Sequence, residues 1–351
     1  MTTSDRIFSA PAGQSVVSYK GPSGAPGIPL LDVRHLTVAF EREGGSGRMG
    51  IAVDGVSFTL HRGKTLCLVG ESGCGKTVTA LSLLRLLPSP PARITGGSVL
   101  FDGEDLSAMP EKRLRSIRGN RAGMVFQDPM TSLNPVMRVG DQIGESLRLH
   151  KHLNKNDARD AAVSLLDRVG IPDPSLRVRD FPHQMSGGMR QRVMIAMALA
   201  CGPELIIADE PTTALDVTVQ KQILQLMRCL IDDSGSGLLL ITHDLGVVAQ
   251  AADDVAVMYA GRIVEQGTVR DVLEHPAHPY TMGLLQSRPG TGERQSRLET
   301  IPGAVPGLWA RPGGCAFHPR CPKAFDRCGR DAPPLFAAGG GKLCRCWLCD
   351  S

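Results

Sequence analysis

Residues 70–77, which read GESGCGKT, constrain this chain more than any other stretch. They fit the pattern G-x-x-x-x-G-K-[ST], in which glycines let backbone N–H groups curl around phosphates. The apolar run 65–69 before them predicts a buried strand, and the leucine-rich run 78–87 after them predicts a helix. A helix start adds positive dipole to the same hollow. We therefore predict a phosphate-binding loop between a strand and a helix, rather than a chance glycine-rich turn.

Two side chains of this loop have specific predicted roles. We expect Lys76 to reach the β- and γ-phosphates of a nucleotide, and the Thr77 hydroxyl to bind Mg²⁺. Cys74 occupies a position that the pattern leaves free, so we expect its thiol to be open to alkylation. The other loop residues are expected to surround the phosphates: Gly70, Glu71, Ser72, Gly73, Cys74 and Gly75.

Size and composition narrow the class of protein. With 351 residues, 42% hydrophobic and 21% charged, the chain is long enough for one large globular domain and a smaller one. A net charge of +4 is too small to indicate a nucleic-acid partner, and none is expected. No run approaches the roughly 18 apolar residues of a membrane helix, and the N-terminus lacks a signal-peptide pattern. We therefore expect a cytosolic chain, whose ten cysteines are thiols or metal ligands rather than disulfides.

Apolar segments alternate with helical patterns along most of the chain and predict an α/β fold with a mostly parallel core sheet. Residues 1–29 are rich in Gly, Pro, Ser and Ala and predict a disordered tail. We place the main α/β domain at 30–270, beginning with an antiparallel β edge. Within it, residues of about 130–200 predict a helical insertion, because they show helical periodicity without strands.

Polar residues follow several of the predicted buried strands. Such segments directly precede Gln127, the pair Asp209 and Glu210, and His243. The phosphate-binding loop 70–77, which contains Lys76, follows a segment of the same kind. Ligands of parallel sheets bind at the carboxyl ends of strands, so we expect these side chains to meet. Each alone would be an ordinary polar loop residue, but together they indicate ATP hydrolysis.

The chemistry of ATP hydrolysis suggests a role for each of these side chains. Asp209 is the expected Mg²⁺-side carboxylate, and Glu210 is the expected general base for water. Gln127 can orient that water or complete the metal shell. His243 can donate a hydrogen bond to the γ-phosphate.

A second glycine-containing helix start occurs at Ser186, Gly187 and Gly188. A serine and two glycines at such a position make an anion site, although they also fit an ordinary helix cap. A second phosphate site makes sense if two such chains face each other and each covers the other's ATP. This interpretation requires Ser186 to lie at the surface.

Together these motifs resemble the ATP-binding subunit of ABC transporters, over about residues 30–270. The resemblance implies that Phe40 stacks on adenine and that Asp216 lies in the loop joining two subunits. It also implies that Ser186, Gly187 and Gly188 contact ATP bound by the partner. ATP would close the dimer, and hydrolysis would reopen it and move transmembrane subunits.

Three further segments, 128–135, 181–184 and 275–281, resemble the oligopeptide/dipeptide importer group, which includes nickel and glutathione importers. The resemblance implies import of peptides powered by ATP hydrolysis at the cytoplasmic face of the cell membrane. It implies as partners a second ATPase subunit, two transmembrane permease subunits and an extracytoplasmic substrate-binding protein. Import of nickel or glutathione, a soluble non-transport ABC ATPase and an exporter are the alternatives.

Six cysteines crowd into the last 37 residues, within a predicted C-terminal extension at 271–351. Their spacing resembles the cysteine tail of peptide-importer ATPases, in which four thiolates hold a [4Fe–4S] cluster. The resemblance implies Cys346 as the fourth ligand, although Cys344 or Cys349 could replace it. Zinc or free thiols remain alternatives, since four thiolates also suit Zn²⁺. The expected cluster ligands are Cys315, Cys321, Cys328 and Cys346.

Overall fold

A computed structural model of the chain describes residues 28–42, 49–213, 215–287 and 300–350. Nearly all of the predicted disordered tail, residues 1–27, lies outside this description. The described strands are β1 Leu31–Glu41, β2 Met49–Leu60, β3 Thr65–Val69, β4 Ala92–Phe101, β5 Glu104–Asp105, β6 Ala122–Val125, β7 Leu205–Asp209, β8 Gly237–Thr242, β9 Asp254–Tyr259, β10 Arg262–Thr268, β11 Phe336–Ala337 and β12 Leu343–Cys344.

Helices alternate with the strands of the larger sheet and fill the region between β6 and β7. The described residues also form three short 3₁₀ turns, at Pro182–Gln184, His318–Arg320 and Trp347–Cys349. The described α-helices are α1 Lys76–Leu83, α2 Glu111–Ile117, α3 Pro129–Ser132, α4 Val139–Lys151, α5 Lys155–Arg168, α6 Pro174–Arg177, α7 Gly187–Leu199, α8 Val217–Ser234, α9 Leu245–Ala251, α10 Val269–Glu274, α11 Pro279–Gln286 and α12 Asp326–Arg330.

The core sheet has the strand order β11-β12-β10-β9-β3-β8-β7-β6. Strands β9, β3, β8, β7 and β6 are parallel neighbours, whereas β10, β12 and β11 add an antiparallel edge. Every residue of β3, β7 and β8 is buried, as expected of apolar strands covered on both faces. The predicted mostly parallel α/β core is confirmed.

A second sheet, in the order β2-β1-β4-β5, is entirely antiparallel. Within it β1 lies between β2 and β4, because both of its sides are paired. Phe40 faces Gly50 across the β1–β2 pairing. This register matters below, because Phe40 lines the cavity of the site and Gly50 contacts another segment that lines it.

The predicted helical insertion is present between β6 and β7, where the chain forms α3 to α7 without a strand. α4 and α5 pack through buried apolar residues that recur at helical spacing, among them Ile143, Leu147, Ala158 and Ala162. The exact limits 130–200 remain a prediction.

The C-terminal extension is joined to the core sheet rather than separated from it. β12 pairs with β10, and β11 pairs with β12. On β10 the fully buried Glu265 accepts backbone N–H bonds from Ala277 at 2.7 Å and His278 at 2.9 Å. The carboxylate thereby fixes the start of α11 against the sheet. Across the described ranges, we find no helix with the length and apolarity to cross a bilayer.

Candidate functional site

Four sequence-predicted positions meet at one edge of the core sheet. β3 leads into the loop 70–77, β6 ends two residues before Gln127, β7 ends at Asp209, and β8 ends just before His243. Because β3, β8, β7 and β6 are parallel neighbours, their carboxyl ends lie side by side.

Glu210 is the meeting point of the polar side chains. Its Oε2 atom accepts hydrogen bonds from Gln127 Nε2 at 3.2 Å and Thr213 Oγ1 at 2.9 Å. His243 Nδ1 lies 3.2 Å from the same oxygen, and Lys76 Nζ lies 3.9 Å from Oε1. A carboxylate held by several donors is well oriented, which suits a group that must align a water molecule.

The backbone at Glu210 is held in an unfavourable conformation. Its φ of 46° is in the left-handed region that non-glycine residues rarely adopt. The N–H of Glu210 donates to the Ile241 carbonyl of β8 at 2.9 Å, which fixes the turn that follows β7. Strain of this kind recurs at active sites, where the surrounding structure compensates for it.

Asp209 and Thr77 form a neighbouring pair. Thr77 Oγ1 donates to Asp209 Oδ1 at 3.2 Å. Burial raises the pKa of Asp209 above its ordinary value, and the nearby Glu210 adds to the effect. A hydroxyl and a carboxylate in contact are oxygen ligands of the kind that Mg²⁺ prefers.

The loop 70–77 wraps closely around the start of α1. Lys76 is buried, and its ammonium group donates to the carbonyls of Gly70 at 2.7 Å and Glu71 at 3.0 Å. Gly75 has a φ of 108°, and a Cβ there would lie 2.7 Å from the Ala52 carbonyl oxygen. Only glycine fits this position, because any side chain would force the loop away from β2.

A cavity of about 310 Å³ opens beside this loop, within the size range of ligand pockets. The predicted residues Phe40, Ser72, Gly73, Gly75, Lys76, Thr77, Gln127 and Glu210 line it. Gly70, Glu71 and Cys74 belong to the loop but do not line the cavity. The cavity therefore joins the phosphate loop, the carboxylate edge and Phe40 in one space.

The expectation that Cys74 is open to alkylation is wrong. Its side chain is 1% exposed, and its Sγ lies 3.9 Å from Lys76 Nζ. Burial raises the pKa of this thiol, which further lowers its reactivity. The loop turns this side chain inward, against the strands behind it.

Glu71 has a role that the sequence did not indicate. Arg320 of the C-terminal extension donates to its carboxylate through Nη1 at 2.6 Å and Nη2 at 2.9 Å. The backbone N–H of Glu71 donates to the Tyr280 hydroxyl at 2.9 Å. Tyr280, Tyr259 and Phe317 form one buried aromatic cluster behind these contacts. The extension thus fixes the position of the loop 70–77 through its contacts with Glu71.

The second predicted anion site lies away from the cavity and at the surface. Ser186 and Gly187 are exposed, and Gly188 is half-buried. Ser186 caps α7 by accepting the Met189 N–H at 3.3 Å. The requirement that Ser186 lie at the surface is met.

Asp216 also lies outside the cavity and caps a helix. Its Oδ1 accepts the Val219 N–H at 2.9 Å at the start of α8. Its predicted place between two subunits stays a prediction.

The four cysteines expected to hold a cluster surround one small cavity, which we call the thiol cavity. Cys315, Cys321, Cys328 and Cys346 all line it, together with His278 and Phe317. Burial raises the pKa of Cys315 and Cys321, and that of Cys346 to about 11. Such thiols stay protonated at neutral pH unless a cation lowers their pKa.

The other two cysteines of the tail face elsewhere. Cys344 lies on β12, and its thiol contacts Cys349. Neither lines the thiol cavity, so Cys346 fits as the fourth member better than either. Within the described ranges, however, no three His, Cys, Asp or Glu side chains are grouped closely enough to hold a metal ion. The expected cluster therefore stays a prediction.

Comparison with known proteins identifies the family. The ABC transporter profile matches residues 53–213, and the profile of the oligopeptide/dipeptide transporter C-terminal region matches residues 264–328. A putative peptide import ATP-binding protein of Brucella melitensis is 53% identical over 329 residues, which cover 91% of this chain and 96% of that protein. The chain belongs to the ABC transporter ATP-binding proteins. This ABC ATPase is also 50% identical to the dipeptide transport ATP-binding protein DppD of Bacillus subtilis, over 92% of this chain and 95% of that protein.

Solved ABC cassettes share the fold of this ABC ATPase. A dimeric ATP-binding cassette in a post-hydrolysis state, bound to ADP and phosphate, superposes with a TM-score of 0.61 at 25% identity. The match covers 68% of this chain and 99% of that chain. The cbiO1 subunit of Clostridium perfringens gives a TM-score of 0.58 at 26% identity, over 70% of this chain and 91% of that one. A large part of this ABC ATPase therefore lies outside the shared cassette.

Proposed function

We propose that this ABC ATPase hydrolyses ATP to power the import of peptides through a membrane transporter. The observation that carries the proposal is the convergence of Gln127, His243 and Lys76 on the Glu210 carboxylate, at the mouth of the phosphate loop. Peptides are supported as the substrate by the relatives in Brucella melitensis and Bacillus subtilis, which are named for peptide and dipeptide transport.

We assign a task to each polar side chain. Glu210, oriented by the donors Gln127 and Thr213, accepts a proton from the attacking water, and Gln127 helps to align that water. Lys76 leaves its loop carbonyls to bind the β- and γ-phosphates, and His243 donates to the γ-phosphate. Phe40 stacks on the adenine.

Thr77 and Asp209 fit a magnesium site, because their oxygens already lie 3.2 Å apart and Thr77 lines the cavity. These residues, with Gln127, would hold Mg²⁺, which supplies neutralisation of the charge on the phosphate oxygens. Raised pKa and burial at Asp209 indicate a carboxylate that lacks a full counter-charge within the protein.

The proposed assembly contains two ATPase subunits, two transmembrane permease subunits and an extracytoplasmic substrate-binding protein. It places this chain peripherally at the cytoplasmic face of the membrane. The exposed helix cap at Ser186, Gly187 and Gly188 would cover ATP held by the second ATPase subunit, and Asp216 would lie between the subunits. A surface cap with free N–H groups is what a partner's phosphate requires.

We also propose that the chain has two domains. Residues 30–270 form the ATPase domain, and residues 271–351 form an importer-type extension that contains the thiol cavity. The four cysteines of that cavity are proposed to hold a [4Fe–4S] cluster, which would fasten the tail. Because a cluster is larger than a single ion, its ligands can lie farther apart than zinc ligands. The support is that all four line one cavity, whereas Cys344 and Cys349 do not.

Co-purification from membranes tests the transport proposal. The full chain, carrying an affinity tag, should bring down a second ATPase and two hydrophobic permease subunits. The binding protein encoded with those subunits should then bind peptides in a ligand screen. Recovery of the chain without any membrane subunit would refute transport, and capture of nickel or glutathione by the binding protein would refute the peptide assignment.

A further inference from the structure

One wall of the nucleotide cavity comes from a distant part of the chain. Pro306, Gly307, Leu308 and Arg311 line it together with Phe40. We call residues 306–311 the wall segment. It lies within the match to the peptide-transporter C-terminal region and outside the match to the ABC transporter profile.

Packing against β2 places the wall segment at the Phe40 end of the cavity. Phe40 faces Gly50 across the β1–β2 pairing. A Cβ on Gly50 would lie 2.7 Å from Leu308 Cγ and 2.8 Å from the Trp309 ring, so both side chains rest directly on the backbone there. The phosphate-binding Lys76 and Thr77 instead line the cavity from the loop after β3.

Arg311 fixes the wall segment in this position. Its guanidinium donates to Asp54 Oδ2 at 2.6 Å and to the Ile51 carbonyl at 3.2 Å, and it also contacts the Ala260 carbonyl. Arg262 donates to the same Asp54 oxygen at 2.8 Å, so the two arginines share one carboxylate. Arg311 therefore holds the wall segment against both β2 and the turn between β9 and β10.

We propose that the wall segment forms the second side of the adenine pocket, with Leu308 as its apolar contact to the base and Arg311 as a positioning residue. The inference rests on the proposed ATP function and adds a specificity determinant to it. Phe40 and Ile51 already line this end of the cavity, and a flat heteroaromatic base gains most when apolar groups cover both of its faces. The match to the cassette solved with ADP and phosphate covers 68% of this chain. That cassette therefore binds its nucleotide without a counterpart to the rest of this chain.

Calorimetric titration of the full chain with ATP and with inorganic tripolyphosphate separates the two ends of the cavity. Leu308→Ala should weaken ATP binding about five- to tenfold, because part of one leucine's apolar contact is lost. Its affinity for tripolyphosphate should stay unchanged. Leu176→Ala removes an exposed leucine of α6 and serves as the matched control, with both affinities unchanged. Unchanged or tighter ATP binding by Leu308→Ala would overturn the inference, and tighter binding would mean that the segment obstructs the base.

A second measurement does not require altering the pocket. The chain has two tryptophans, so Trp347→Phe leaves Trp309 as the only one. ATP should change its fluorescence emission, whereas tripolyphosphate should not, and equal responses to both ligands would contradict the proposal.

Arg311→Lys tests the positioning role. It should weaken ATP binding several-fold and leave tripolyphosphate binding unchanged, since lysine cannot bridge Asp54 and two carbonyls. A parallel loss of both affinities would indicate a purely structural role and overturn this part of the inference. A wild-type chain that binds neither ligand would refute the proposed function as well, whereas one that binds both ligands without regard to Leu308 would refute this inference alone.

Discussion

The ion pair between Glu71 and Arg320 offers the sharpest test of how the extension supports the phosphate loop. Arg320 is 6% exposed at its side chain and Glu71 is 30% exposed. The guanidinium also donates to the Pro302 carbonyl at 2.8 Å. Breaking a buried pair costs about 3–5 kcal/mol, and an exposed pair contributes about 0.2–1 kcal/mol. With one partner buried and the other partly solvated, we expect a coupling energy of about 2 kcal/mol.

A double-mutant cycle measures this coupling directly. The wild type, Glu71→Gln, Arg320→Ala and the double variant are each unfolded in urea to obtain their free energies of unfolding. The coupling energy is the change in the double variant minus the sum of the changes in the two single variants. Arg320→Ala should be the more destabilising single change, because it also removes the bonds to the carbonyl groups. The surface pair Glu104–Arg113, 3.3 Å apart and exposed at 39% and 58%, is the control. A Glu71–Arg320 coupling no larger than that of the control would refute the reasoning.

The same variants have a functional consequence. Glu71 precedes the cavity-lining Ser72 and Gly73, and its own carbonyl accepts from Lys76. Loosening it should therefore misplace the phosphate-binding groups. Arg320→Ala should lower ATP affinity and tripolyphosphate affinity together, in contrast to the changes expected for Leu308. Arg320→Lys should restore part of both, since it keeps the charge without the paired hydrogen bonds.

Three further predictions concern the carboxylates and the cysteines. Glu210→Gln should bind ATP normally but hydrolyse it at least about a hundredfold more slowly; near-normal turnover would exclude Glu210 as the base. Burial raises the pKa of Asp209, so its charge destabilises the fold increasingly as pH rises from the unfolded pKa towards the folded one. Asp209→Asn should therefore melt at a higher temperature than the wild type at neutral pH, with the gap closing in acid, while Mg²⁺-dependent hydrolysis falls; a lower melting temperature at neutral pH would contradict this. Protein purified without oxygen should be brown with about four irons per chain, and Cys346→Ser should lose them while Cys349→Ser keeps them; colourless protein that contains zinc would reject the cluster.

Sequence patterns anticipated the parts of the site that follow buried strands. Gln127, Glu210 and His243 could be placed because an apolar run precedes each of them, and parallel strands end at one edge. The loop 70–77 carries its own local signature. The family resemblance supplied Phe40, which lines the cavity from the antiparallel strand β1 and has no local signal of its own.

Contacts made by the extension could not be foreseen in this way. Arg320 meets Glu71 from 249 positions away, and Arg311 meets Asp54 from 257 positions away. Neither arginine lies in a periodic pattern, and charged residues in a Gly- and Pro-rich segment ordinarily suggest a solvated loop. The inward turn of Cys74 was also missed, because glycine-rich loops have no periodicity that assigns a side chain to one face.

The two short strands at the end of the chain also have a consequence for solubility. β12 pairs with β10 and forms hydrogen bonds with backbone groups of β10. Without β12, these groups would be unpaired along an exposed edge of the core sheet. The outermost strand, β11, has only two residues and lies between prolines at 333 and 334 and glycines at 339 to 341. Short borders interrupted by proline resist pairing with other molecules. A chain that ended before this point would present the longer β10 to its neighbours and would be prone to self-association.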